Sequence, residues 1–160
     1  MNPRFQTTAL AVLLTLAAVA TQAQEAQEPL PSEKLKAAPA PRGLTVAPVL
    51  KTSVTVLGQP VVYAKTETPE VSSVVQTYAP GGETGWHYHL LSSHIYVLEG
   101  VLSLEMADGQ KREFQAGQAY MESVRTWHNA RNLGITPLKL LVVGFGEERK
   151  SNNVFGQSPP

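Results

Sequence analysis

Apolar and polar positions alternate in short runs over most of the chain beyond its first quarter. In Val101 to Met106, Leu102, Leu104 and Met106 alternate with Ser103 and Glu105, the period of two expected of a half-buried strand. Val54 to Leu57, Val61 to Thr66 and Val71 to Tyr78 are enriched in Val, Thr and Tyr and bounded by Gly, Pro or charged residues, which predicts further strands. Ile95 to Leu98, Lys111 to Phe114, Gln118 to Met121, Trp127 to Arg131 and Leu138 to Phe145 complete the set. Asp108-Gly109, between two of these runs, predicts a hairpin. No stretch after residue 43 shows the 3.6-residue period of an amphipathic helix. The pattern predicts an all-β fold, either a sandwich or a double-sheet jelly-roll barrel.

The two ends depart from this pattern. Arg4 precedes an uncharged apolar run from Ala9 to Ala20, followed by the polar Thr21-Gln22-Ala23-Gln24. This is the layout of a secretory signal peptide, with small residues at Ala18 to Ala20 or at Ala23 for cleavage. About a dozen apolar residues fall short of the roughly 20 that a membrane span needs. The expected organisation is a signal peptide at 1–23, a disordered linker at 24–43, a folded domain at 44–148 and a flexible tail at 149–160. The linker reading rests on four prolines among Ala, Glu and Gln with no hydrophobic period. The mature protein is expected to be periplasmic or secreted, with no stable membrane span once the signal is removed.

Composition narrows the chemistry. A chain of 160 residues suits one domain, and charged residues make up only 16% with no net charge, so there is no nucleic-acid footprint. The absence of cysteine excludes disulfides, thiolate metal sites and a cysteine nucleophile. The four histidines become the informative residues. Gly81-Gly82-Glu83-Thr84-Gly85-Trp86-His87-Tyr88-His89 is a glycine-rich turn leading into His-x-His, and on a strand both imidazoles project from one face. His128 lies about 40 residues further on, in a segment that a closed antiparallel barrel could bring opposite. Three imidazoles so placed would make a facial set of nitrogen donors with open positions for water or substrate.

At these residues the chain resembles the cupin superfamily of small β-barrels. Gly81, His87, His89 and Gly100 fit its first motif, and Gly117, His128 and Asn132 fit its second; Tyr96 to Gly100 looks like the usual end of a cupin strand. The resemblance covers roughly residues 44 to 148 and implies a double-stranded β-helix, or jelly-roll, barrel. It departs from the family at three positions. Ser93 stands where the first motif carries a metal-binding glutamate, and Ser123 and Arg125 stand where the second has Pro and Gly. His94 neighbours the vacated place, but it would need a bulge or a one-residue shift to turn inward.

The resemblance implies a divalent transition metal (Fe, Mn, Ni, Cu or Zn) on His87, His89 and His128, with His94 as a further candidate. A nitrogen-only donor set favours copper or zinc over magnesium or calcium. Occupancy should fall below about pH 6 as imidazoles protonate. Dioxygenase, isomerase and lyase chemistry on a small molecule are equally compatible; the alternative is a non-catalytic periplasmic module that binds an organic ligand without metal. Glu122 is the candidate general base, against a reading as a solvated rim residue, and Arg125 could bind a substrate carboxylate or pair with Glu122. Trp86, Tyr88, Tyr96, Tyr120 and Trp127 read as wall and core residues, Gly100 and Gly117 as turn residues, and Asn132 as a strand or loop tether. Cupins commonly pair, so a homodimer is expected.

Overall fold

The computed structural model describes residues 42–157. The expected signal peptide and all but the last two residues of the expected linker lie outside that range. Nine strands follow one another: β1 (Pro69–Tyr78), β2 (His87–His89), β3 (Ser93–Glu99), β4 (Val101–Met106), β5 (Lys111–Gln115), β6 (Ala119–Met121), β7 (His128–Arg131), β8 (Leu138–Glu147) and β9 (Asn153–Phe155). They form two antiparallel sheets, ordered β1-β8-β3-β6 and β5-β4-β7-β2-β9. No helix is present among the described residues, and none is long and apolar enough to cross a membrane. The all-β jelly roll is one of the two architectures that the alternation predicts and the one that the resemblance implies.

The core lies between the sheets. Leu102, Leu104 and Met106 of β4 face Ile95 and Val97 of β3, with Tyr78, Tyr120, Ala130, Leu138 and Leu140 completing one cluster. Phe114 stacks on Tyr120 with ring centroids 4.1 Å apart. On β3 the side chains alternate: Ser93, Ile95 and Val97 are buried, while His94 and Tyr96 are only half-buried on the other face. Gly100, at φ 82°, turns β3 into β4. A Cβ there would stand 2.9 Å from the Pro137 carbonyl oxygen, so both conformation and space demand glycine.

Three expectations fail. Val54 to Leu57 and Val61 to Thr66 are not strands. Val54 makes one bridge to Pro60, and the Thr55 amide bonds the Gln59 carbonyl to close a turn through Gly58, at φ 78°. Val62 is tied only at Ser92, through Ser92 Oγ and the Ser92 amide. β-branched composition alone does not supply a neighbouring strand to complete a ladder. The expected free tail is also corrected: Asn153 to Phe155 form β9, which pairs antiparallel with β2 through His87↔Phe155, Tyr88↔Val154 and His89↔Asn153.

Candidate metal centre

β2 and β7 meet at one pair of residues, His87↔His128. The pairing brings both imidazoles to the inner face, and His89, two positions along β2, joins them there. One ring nitrogen from each of His87, His89 and His128 lies within 4.8 Å of the others, and all three residues are buried. His94 is not in the group. The β3 register runs without interruption from Ser93 to Val97, and its irregularity falls later, between Val97 and Glu99. The bulge that would turn His94 inward is therefore absent, and its neighbours across the sheet are Met121 and Val143.

The outer ring nitrogens settle the tautomers. His87 Nδ1 donates to the Gly85 carbonyl at 2.9 Å, His128 Nδ1 to the Thr126 carbonyl at 2.9 Å, and His89 Nδ1 to Asn153 Oδ1 at 2.8 Å. An oxygen acceptor requires N–H at Nδ1, so in the neutral rings each Nε2 keeps its lone pair. This is the arrangement by which outer hydrogen bonds orient metal-ligating imidazoles. Buried His89 Nε2 has no hydrogen-bond partner in the neutral ring; its close neighbour is Glu122 Oε2 at 3.0 Å, a contact that needs a proton or a cation on that nitrogen. The donor set thus fits a divalent transition ion.

Glu122 is no solvated rim residue. Its side chain is buried, and Oε2 lies 3.0 Å from His89 Nε2. Arg125 forms no ion pair with it; its backbone amide instead bonds the His89 carbonyl, and its φ of 53° preserves the left-handed turn for which the family motif uses glycine. Burial would raise the Glu122 pKa, but its contact with His89 and the three neighbouring imidazoles bring it below the ordinary carboxylate value. Burial likewise lowers His87 and takes His128 down to about 4. At His89 burial is again the largest influence and lowers the pKa, but the Glu122 charge and contact, with Asn153, carry the balance upward. Tyr78 is pushed up to about 12 by burial and by Glu122, so its phenol stays a neutral donor, bonded to Gln76 Oε1 at 2.6 Å.

The open space reflects these contacts. An inner chamber of about 80 Å³ is bounded by His87, His89, Tyr120, Glu122 and Phe155. A single water needs only about 10–15 Å³ on a comparable measure, so an ion and a few small ligands fit. An outer chamber of about 270 Å³ adjoins it and is lined by polar groups including Glu70, Ser72 and Lys150. Both chambers are bordered by Gln76, Ser93, Val142 and Asn153.

Two contributors were missed in the sequence because both lie in the presumed tail. Asn153 fixes His89, and Phe155 stacks on His87 with ring centroids 5.5 Å apart. Their only signal is the pair Val154-Phe155, apolar within an otherwise polar end. Asn132 is the expected tether: its amide donates to the Tyr78 and Thr136 carbonyls and accepts from the Gly134 amide.

Against known families, residues 74–144 match the one described as the cupin domain. Residues 74–144 carry the cupin domain. No curated protein matches it. Among solved structures, the chain is similar to the polyketide cyclase RemF from Streptomyces resistomycificus, at 29% identity over 54% of this chain and 61% of that one, with a TM-score of 0.46. It is also similar to a Lactobacillus farciminis oxalate decarboxylase formate complex (23% identity, 53% of this chain, 26% of that one, TM-score 0.46). A third is the DMSP lyase DddQ from Ruegeria pomeroyi (17% identity, 56% of this chain, 45% of that one, TM-score 0.47). The chain spans less than two thirds of the length of each.

Proposed function

We propose that this cupin is an exported protein that holds a divalent transition ion on His87, His89 and His128 and acts on a small, oxygen-bearing molecule. The observation that carries the reading is the triple Nδ1–H···O arrangement, which leaves three Nε2 lone pairs converging on one buried point. When bound, the ion would supply Lewis acidity or, if redox-active, electron transfer to a coordinated ligand. The chain's own groups do the rest. The polar outer chamber admits the molecule, and Phe155 and Tyr120 close apolar walls around the inner one. Oxygenase, isomerase and lyase chemistry all suit such a site.

The test is metal analysis of the mature chain recovered from the periplasmic fraction or the medium. A processed N-terminus near Gln24 and about one equivalent of transition metal are expected, with the metal lost in His87→Ala. Equal and negligible metal in both proteins would end the reading.

We further propose a homodimer. β1 lies at the edge of its sheet, and Val71, Val74 and Val75 on it are exposed, a surface that pairing would cover. Sizing across a range of concentrations should show a dimer; monomer throughout would contradict it.

A further inference from the structure

We infer that Glu122, the residue that follows β6, is the carboxylate ligand of this centre, in place of the glutamate that Ser93 has replaced on β3. The inference rests on the metal-binding reading above and adds a donor to it. β3 and β6 are paired neighbours, with His94 opposite Met121, and the Glu122 amide donates to the Ser93 carbonyl at 2.8 Å. The carboxylate has moved one strand sideways without leaving the site. Ser93 cannot itself provide an anionic donor, and its hydroxyl is already engaged by Asn152 Nδ2 at 3.2 Å.

The decisive contact is between Glu122 Oε2 and His89 Nε2, 3.0 Å apart. His89 gives its Nδ1 proton to Asn153, so it meets the carboxylate through Nε2, which carries a proton in the imidazolium and a lone pair in the neutral ring. That lone pair and a carboxylate oxygen facing each other in a buried space repel unless a positive charge sits between or beside them. Two donors each about 2.1 Å from one ion, at a right angle, stand about 3.0 Å apart. The observed spacing fits two adjacent ligands of an octahedral ion, which would take the place of the proton that Nε2 carries in the metal-free pair.

The electrostatics point the same way. Buried carboxylates are normally paired, yet the ion-pair contact of Glu122 among the described residues is to His89 alone, with no Lys or Arg. A ligand role also accounts for its placement better than a general-base role does. Glu122 borders the inner chamber with His87 and His89 and is absent from the lining of the outer one. The resulting set of three imidazoles and one carboxylate is harder than the nitrogen-only site expected from the motif, and it opens the centre to Mn(II) and Fe(II) as well as to Zn(II) and Cu(II).

The test is titration of the full mature chain with Mn(II) and with Zn(II), by calorimetry and by the Mn(II) EPR signal. Wild type is expected to bind both ions. E122Q should lose roughly 100-fold or more in Mn(II) affinity and less in Zn(II) affinity, since an amide oxygen carries no charge. The double variant S93E/E122Q, which returns a carboxylate to β3, should recover most of the Mn(II) affinity. Infrared difference spectra of wild type on adding Zn(II) should show a shifted carboxylate stretch, a readout that does not depend on any variant folding. An E122Q protein that binds Mn(II) as tightly as wild type, or an unshifted carboxylate band in zinc-loaded wild type, overturns the assignment while leaving the three-histidine site standing. A wild type that binds neither ion overturns both.

Discussion

Deleting residues 151–160 lowers the affinity of the centre for a divalent ion by roughly 10–100-fold, the usual cost of removing the groups that orient metal-ligating imidazoles. β2 carries two of the three histidines, yet it is only three residues long and meets β7 at a single pair. Its other edge is held by β9 at three consecutive pairs. Removing β9 therefore takes away most of the ladder that fixes β2. It also removes the Asn153 oxygen that holds the His89 proton on Nδ1 and the Phe155 ring stacked on His87. Asn153→Leu isolates the hydrogen bond, and Asn153→Asp, which keeps an oxygen acceptor, should retain most of the affinity. Calorimetric titration of the three variants checks this. Affinity within twofold of wild type in the deletion would show that β9 does not support the site.

What the sequence made legible follows from which interactions are local. The alternation in β4, the Asp108-Gly109 turn and the Gly100 turn each depend on neighbours a few residues away, and all appear where expected. The His-x-His pair is local too, since a strand places alternate side chains on one face whatever surrounds it. The failures are of the opposite kind. Val61 to Thr66 has strand composition, but pairing depends on what lies beside it, and its backbone bonds are single ties to Ser53 and Ser92, not a ladder. Asn153 to Phe155 has weak local preference and becomes a strand because the open edge of β2 offers backbone partners more than 60 residues away in sequence. Glu122 read as a rim residue because a charged side chain before a turn is usually solvated. Its burial follows from the pairing of β6 with β3 and from the imidazoles arranged around it. Ser93 looked like the loss of a carboxylate when viewed along one strand. Viewed across the sheet, a carboxylate stands beside it.

Lowering the pH from about 6.5 to about 4 removes up to about 3 kcal/mol of stability from the metal-free fold through His128 alone. Its imidazole is almost wholly enclosed, at 1% exposure, and burial takes its pKa from the ordinary 6.5 to about 4, against the smaller upward pull of Glu122. Across that window the unfolded chain takes up a proton at this ring and the folded chain does not. The contribution is complete above about pH 6.5, declines as the pH falls, and levels off below about 4, where both states are protonated. His87, lowered as well, adds to the trend. His89 opposes it, because its raised pKa stabilises the fold at low pH and that benefit fades as the pH rises. The contribution of His128 is therefore read as a difference between proteins. Urea unfolding with chelator present, at intervals from pH 4 to 8, should give a stability curve that steepens between 4 and 6.5 in wild type and is visibly flatter in His128→Gln. Parallel curves for the two proteins would mean that this imidazole is protonated as readily in the fold as outside it, and that the centre is wetter than its enclosure implies.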